Sequence, residues 1–288
     1  MIRKLFISSE PRLRAGWRLL IQTFLLVILG IAAGLLTDLL PIKSTPDSIL
    51  WIGELIELFA IVGSVYLARR FLDKGSFVSI GFKIDKHILF DILAGIIIAS
   101  IMMGLIFIAL QALGWLKFES FAWNTDLAPT VISQTLLFFF FFIIVGFNEE
   151  LLFRGYYLQT ITSGLNLFWG LIISSIVFGG LHLANPNATW VSAAGIFFAG
   201  LFLAYGYIRT KQLWLSIGLH IGWNFFEGVV FGFPVSGLSI YPLTHIRVSG
   251  PEVWTGGAFG PEAGLIILPA LALGAVLIYF YTCSRLDS

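Results

Sequence analysis

The sequence predicts an all-α, polytopic membrane protein with about eight transmembrane helices. Of its 288 residues, 58% are hydrophobic and 11% are charged, and its mean hydropathy is +0.94. A soluble domain carries about 25% charged residues, so this chain has too little polar surface to solvate a globule. One membrane span needs about 20 mostly apolar residues. Eight segments meet that need: about 17–40, 48–70, 88–114, 130–153, 166–184, 190–208, 213–232 and 259–281.

Basic residues divide unevenly between the predicted loops. Alternating loops hold the Lys and Arg residues in a ratio of 14 to 3, and the smaller, outer set is Lys43, Lys117 and Arg247. Because positively charged loops are retained in the cytoplasm, both termini are expected there. The first apolar segment follows a basic start but is too long for an ordinary cleaved signal, so we expect a retained helix. The basic residues of that start are Arg3, Lys4, Arg12 and Arg14.

Charge and cysteine content exclude several other classes of protein. The net charge of +1 gives no support for nucleic-acid binding. The single cysteine, Cys283, forms no intramolecular disulfide and no cysteine zinc cluster. No histidine lies near Cys283 in the sequence, which argues against a thiol nucleophile.

Three polar clusters interrupt the apolar segments. Ionisable side chains are costly in hydrocarbon, so a cluster of them within a membrane segment indicates a functional site. The clusters are Glu149-Glu150 with Arg154, Phe178 with His182, and His220 with Asn224.

Helical periodicity separates the two glutamates of the first cluster. Residues four apart lie on one face of a helix, so Glu150 and Arg154 are expected to form an ion pair. Glu149 then points about 100° away and is free to face a cavity. The alternative is that both carboxylates belong to one structural ion-pair network, or lie at the water interface where charge costs little.

The two histidines lie beside glycines that favour close helix contacts. His182 follows Gly179-Gly180, and His220 lies between Gly218 and Gly222 in a Gly-x-x-x-Gly pattern. Asn224 is on the same helical face as His220, and Glu227 lies further along it.

This inventory of side chains suits hydrolysis of a peptide bond by either of two routes. In one, Glu149 takes a proton from a water that His182 orients, while His220 and Asn224 stabilise the oxyanion. In the other, His182 and His220, with or without a glutamate, hold a divalent metal such as zinc, whose bound water is the nucleophile. The chain contains no His-Glu-x-x-His, Gly-x-Ser-Gly or Gly-x-Gly-Asp signature of other intramembrane proteases.

The three clusters together resemble the EExxxR, FxxxH and HxxxN motifs of the CAAX-protease and bacteriocin-processing (CPBP, or Abi) family of intramembrane endopeptidases. The resemblance covers residues 130–232. It implies that Glu149 and His182 activate water, that His220 and Asn224 stabilise the oxyanion, and that Glu150 and Arg154 give structural support. The family is named a metalloprotease group, and metal dependence stays open here. The expected partners are membrane lipid and membrane-associated peptide or protein substrates, in a prokaryotic plasma membrane.

The resemblance divides the chain into three parts. Residues 1–129 form three N-terminal helices, 130–232 the protease-like core, and 233–288 an outer loop with the last helix. The turn-rich stretch 233–258 is expected to be a plain connector. The alternative function is an ion-coupled transporter, since Glu54, Glu57 and Glu227 add further intramembrane carboxylates. A catalytically idle scaffold is a third hypothesis.

One geometric difficulty follows from the predicted boundaries. His220 lies roughly 10 Å along its segment, whereas His182 lies roughly 24 Å along its own. Two residues of one site cannot differ so much in depth. We therefore expect the fifth helix to begin in the cytoplasm, below the membrane surface.

Overall fold

The computed structural model describes residues 13–39 and 45–286 and is predominantly helical. Arg3, Lys4, Arg12 and Lys43, on which the predicted orientation partly rests, lie outside these residues. In chain order the α-helices are α1 Ala15–Thr37, α2 Pro46–Leu67, α3 Ile88–Ala112, α4 Ala128–Glu150, α5 Leu158–Gly164, α6 Leu167–Leu181, α7 Trp190–Thr210, α8 Trp214–Asn224, α9 Glu252–Thr255 and α10 Ile267–Leu286.

Six helical segments in the described part of the chain are long and apolar enough to cross a membrane. They correspond to the first six predicted spans, and a shorter apolar helix, Ile267–Cys283, corresponds to the eighth. The prediction of an all-α, polytopic membrane protein is therefore confirmed. The six segments are Ala15–Thr37, Asp47–Leu72, Ile88–Ala112, Ala128–Gly164, Leu167–Ala184 and Trp190–Thr210.

The seventh and eighth predicted segments differ from expectation in extent. Helix α8 has only 11 residues before a π-helical turn, Phe225–Val230, continues it. Every residue from Leu215 to Asn224 is buried, so this helix packs inside the protein rather than against lipid. Helix α10 begins at Ile267 instead of residue 259, because Pro261 and its glycine neighbours form short 3₁₀ turns there.

The described chain forms two compact units. The first comprises residues 13–39, 45–84 and 144–174, and the second comprises 85–143 and 175–286. In the first unit, α1 packs on α2, where Gln22 Nε2 donates a hydrogen bond to Ser64 Oγ at 3.0 Å. Arg18 also forms a buried ion pair with Asp73. The expected division into 1–129, 130–232 and 233–288 stays a prediction.

The second unit is built around the contact between α3 and α8. A Cβ added to Gly218 would lie 2.3 Å from the carbonyl oxygen of Ile92, and one added to Gly222 would lie 2.7 Å from Ile96 Cα. Gly95 of α3 approaches the α8 backbone equally closely, with 2.4 Å between its added Cβ and Leu219 N. The close helix contact that the Gly-x-x-x-Gly pattern predicts is therefore confirmed, and α3 is its partner.

The segment 233–258 is more structured than the predicted plain connector. Its strand β2, Thr244–Val248, pairs antiparallel with β1, Leu116–Phe121. The Tyr241 hydroxyl donates to Asp126 Oδ2 at 2.6 Å. Desolvation and the adjacent Asp126 carboxylate raise the pKa of Tyr241 to about 12. The pairing of β2 with β1 and the hydrogen bond from Tyr241 to Asp126 thus hold this segment to the chain between α3 and α4.

Candidate active site

The glutamate motif lies in the first unit, where the helix changes type. Glu149 and Glu150 are the last residues of α4, and Arg154 lies in the π-helical turn Leu151–Tyr157 that follows. The carboxylate Oε1 of Glu150 accepts a hydrogen bond from Arg154 Nη1 at 2.8 Å. The ion pair expected from the four-residue spacing is therefore present.

Burial distinguishes the two glutamates. Glu150 is 0% exposed and Arg154 is 2% exposed, whereas Glu149 is partly exposed. A buried charge needs a partner, and Arg154 supplies one to Glu150. Glu149 is therefore the less buried glutamate of this motif, with its Oε2 atom buried.

A further carboxylate adjoins the glutamate motif in the first unit. Asn148 Nδ2 donates a hydrogen bond to Glu54 Oε1 at 2.6 Å. Asn148 is completely buried and directly precedes Glu149. Glu54, which the transporter hypothesis uses, therefore helps to hold the end of α4. No local sequence pattern indicates this contact, since 94 residues separate the two side chains.

The FxxxH motif ends α6 in the second unit. His182 opens a short 3₁₀ turn, and its Nδ1 lies 2.8 Å from the carbonyl oxygen of Phe178. A carbonyl only accepts hydrogen bonds, so Nδ1 carries the proton. Neutral His182 then presents the lone pair of Nε2, which is the atom that can accept a proton or bind a metal.

Phe178 brings the two histidines together. Its ring contacts His182 edge to face at a centroid distance of 4.8 Å and His220 at 6.3 Å. Phe178 is 3% exposed, and His220 and Asn224 are each 6% exposed. The two imidazoles thus lie against one buried ring and, with Asn224 one turn after His220, form a histidine cluster in which His220 and Asn224 are buried and His182 is partly exposed.

This arrangement removes the predicted difference in depth between the histidines. Helix α6 begins at Leu167 and α8 begins at Trp214. The estimate from sequence counted both depths from helix starts at a common level, and the contact of both imidazoles with the Phe178 ring contradicts that assumption. The expectation that the fifth helix begins in the cytoplasm stays a prediction.

Close backbone packing positions the end of α6. A Cβ added to Gly179 would lie 2.4 Å from the carbonyl oxygen of Ala193 in α7, so no larger residue fits there without movement. A Cβ added to Gly180 meets nothing within 4 Å. Of the two glycines before His182, Gly179 is therefore the one at the helix contact.

Two buried carboxylates adjoin the histidine cluster. Glu262, 4% exposed, lies in the 3₁₀ turn Pro261–Ala263, within electrostatic range of His182 and His220. Glu227, 0% exposed, neighbours Glu262 and lies close to the Trp223 side chain. Glu227 was noticed in the sequence, but Glu262 was not, because it belongs to no motif and precedes the last apolar helix.

The predicted metal ligands, His182 and His220, do not form a complete ligand set. In the described ranges, no group of three or more His, Cys, Asp or Glu side chains is arranged to hold a metal ion. A catalytic zinc has three protein ligands as a rule. The residues present do not fit such a centre, and no step below passes through a metal.

Comparison with known proteins identifies the segment that contains the three motifs. Residues 131–226 match the family model "Type II CAAX prenyl endopeptidase Rce1-like". The predicted family resemblance is confirmed over this segment. It begins early in α4 and ends just after Asn224, so it contains Glu149, His182 and His220.

A curated relative agrees with this match. The chain is 32% identical over 113 residues to the Bacillus subtilis (strain 168) protein named "Putative membrane peptidase YdiL". The aligned region covers 39% of this chain and 44% of the relative, which is less than half of the relative's length. The names of both the family and the relative describe peptidases.

Proposed function

We propose that this chain is an intramembrane endopeptidase that hydrolyses peptide bonds of membrane-associated proteins or peptides. The observation that carries the proposal is the histidine cluster of buried His220 and Asn224 with partly exposed His182, in which His182 offers Nε2 for proton transfer. The peptidase names of the matching family and relative support the same reaction. The partly exposed Glu149 supplies the remaining group, a general base.

The reaction begins with a water molecule that Glu149 and His182 orient. The water oxygen attacks the carbonyl carbon of the substrate while its proton passes to the Glu149 carboxylate. A positioned general base contributes about 10²–10⁴-fold to such a step. The proton then passes from Glu149 to the leaving amine as the C–N bond breaks.

His220 and Asn224 stabilise the charge that develops on the carbonyl oxygen. The Asn224 amide is a hydrogen-bond donor, and His220 donates from a ring nitrogen. Both side chains are almost fully buried, where hydrogen bonds to an oxyanion are worth more than in water. Loss of one such donor is expected to lower kcat by about 10²–10³-fold.

The proposed substrates are membrane-associated and the proposed location is the plasma membrane of a prokaryote, with both termini in the cytoplasm. The apolar helices support a lipid environment. A prenylated CAAX terminus is the substrate that the family's name suggests. The uneven distribution of basic residues supports the proposed orientation.

Comparison of membrane proteomes tests this proposal and names the substrate. Cells that express wild-type protein or Glu149→Gln would be compared for new protein N-termini and for accumulated precursors. The expected result is a set of precursors that accumulate only with Glu149→Gln and that carry their cleavage sites in or beside the membrane. Identical sets of N-termini in both strains would contradict the proposal.

A further inference from the structure

Glu262 enters the histidine cluster from a part of the chain outside the matched family segment. That segment ends at residue 226. The turn Pro261–Ala263 packs directly on α7, where a Cβ added to Gly195 would lie 1.8 Å from the carbonyl oxygen of Glu262. Glycine at position 195 therefore makes room for the turn. The backbone around Glu262 is held against the helix that follows the FxxxH motif.

The Glu262 carboxylate joins the HxxxN motif to the segment after α8. Its Oε1 accepts a hydrogen bond from Trp223 Nε1 at 3.0 Å. Its Oε2 accepts from the backbone N–H of Ser236 at 2.9 Å and from Ser236 Oγ at 2.6 Å. Trp223 directly precedes Asn224 and is 7% exposed. Three donors therefore fix a carboxylate that contacts the last turn of α8.

Glu262 is the carboxylate that connects the HxxxN motif to the later segment. It is almost completely buried. Glu227 lies beside Glu262 and close to the Trp223 side chain, and Glu262 differs from it in also accepting the two hydrogen bonds from Ser236.

We propose that Glu262 is a positioning residue for hydrolysis, which orients the Trp223–Asn224 end of the HxxxN motif. This inference rests on the proposed peptidase function. Glu262 does not touch the reacting atoms. It acts through Trp223, so it affects the rate of the chemical step more than the binding of substrate.

Two substitutions test the role of Glu262, and a third serves as a control. Glu262→Gln removes the charge and keeps the shape of the side chain. Trp223→Phe removes the indole donor and keeps the charge of Glu262. Glu252→Gln is the matched control, because Glu252 is an exposed glutamate of the same outer segment. All would be purified as full-length protein in detergent and assayed with a fluorogenic peptide that carries a farnesylated CAAX terminus.

Glu262→Gln is expected to lower kcat by about 10- to 100-fold, because small displacements of catalytic groups have effects of that size. KM should change by less than about twofold, since substrate binding is not altered. Trp223→Phe should lower kcat in the same direction, and the double variant should lose less than the product of the two single losses. Glu252→Gln should match the wild type.

A second measurement keeps the inference testable without cleavage. In ¹H–¹⁵N spectra, the indole resonance that disappears in Trp223→Phe should shift in Glu262→Gln and stay in place in Glu252→Gln. Wild-type kcat and an unshifted indole resonance in Glu262→Gln would overturn the inference. So would a rise in KM with kcat unchanged. If Glu262→Gln does not fold, wild-type kcat in Trp223→Phe would overturn it.

The two proposals fail in different ways. If wild type and Glu149→Gln release the same amount of product, the peptidase proposal fails, and the indole resonance alone decides whether Glu262 holds Trp223. If Glu149→Gln is inactive while Glu262→Gln and Trp223→Phe equal the wild type, the peptidase proposal stands and the role of Glu262 is wrong.

Discussion

His182 has the best defined chemical state of the residues in the candidate site. Its Nδ1 proton is committed to the Phe178 carbonyl at 2.8 Å, which leaves Nε2 as the reactive nitrogen. The FxxxH motif therefore contributes more than its histidine. The backbone of Phe178 sets the tautomer of His182, and its ring lies against both imidazoles.

Replacement of Phe178 tests this role. Phe178→Leu keeps an apolar side chain but removes the ring that contacts His182 and His220, so we expect kcat to fall by about tenfold or more while the protein still folds. Phe138→Leu is the matched control, because Phe138 is also 3% exposed and its ring packs against Phe141. Equal kcat values for the two variants would show that the ring does not position the imidazoles.

The buried Glu150–Arg154 ion pair is expected to contribute to the stability of the folded protein rather than to the chemical step. Arg154→Ala leaves Glu150 buried without this partner, and such changes cost about 3–5 kcal/mol. Arg247→Ala is the control, because its ion pair with Glu119 is largely exposed and pairs of that kind contribute about 0–1 kcal/mol. Thermal unfolding in detergent measures both. A loss for Arg154→Ala no larger than for Arg247→Ala would contradict the structural role.

At this scale the sequence predicts contacts within a helix and misses contacts between distant segments. The Glu150–Arg154 pair follows from a four-residue spacing. Glu262 reaches Trp223 only because a structured segment between α8 and α10 folds back onto the unit. The sequence around residue 262 contains no pattern that predicts its contact with Trp223.

Among the elements, each of the three sequence motifs lies where a helix changes its hydrogen-bonding pattern. Glu150 is followed by a π-helical turn, His182 opens a 3₁₀ turn, and Asn224 is followed by a second π-helical turn. Departures of this kind are frequent at functional sites because they redirect side chains. Hydropathy predicts where an apolar helix lies but carries no information on which carbonyl each N–H bonds, so these turns were not predicted.

The glycines of α8 set how closely it approaches α3. Gly218→Leu would drive a side chain into the Ile92 backbone, so we expect a large loss of folded protein. Gly180→Ala is the matched control, since an added Cβ there meets nothing within 4 Å, and its stability should stay within about 0.5 kcal/mol of wild type. Thermal unfolding of both variants checks this, and a wild-type midpoint for Gly218→Leu would disprove the close contact.

Comparison of the predicted spans with the observed helices shows what hydropathy does and does not predict. Five of the first six spans were predicted within a few residues, because their apolar runs end at polar or turn-forming residues, whereas the fourth continues to Gly164 instead of ending near residue 153. The seventh was predicted as a span, yet α8 is a short helix buried in the protein. A fully buried helix and a membrane span are both apolar, and composition does not distinguish them.

For the whole molecule, the proposed orientation fixes the direction in which the chain crosses the membrane. The predicted orientation has the chain near Lys117 outside and that near Lys74 inside. Both side chains are exposed. The chain has one native cysteine, so in a Cys283→Ser background each introduced cysteine is the single site for labelling.

Labelling of single cysteines tests the orientation. In intact cells, a membrane-impermeant maleimide should react with Lys117→Cys and should leave Lys74→Cys unlabelled until the membrane is opened. The reverse pattern would place the termini outside, and labelling of both variants in intact cells would rule out the predicted loop assignment.

Cleavage by the purified protein tests the central claim, that Glu149 activates water for hydrolysis of a peptide bond. Wild type and Glu149→Gln would be incubated in detergent with the farnesylated CAAX peptide, and the products would be identified by mass spectrometry. The account predicts that wild type releases the terminal residues and that Glu149→Gln, equally well folded, loses nearly all of this activity. Equal product from both proteins would contradict it.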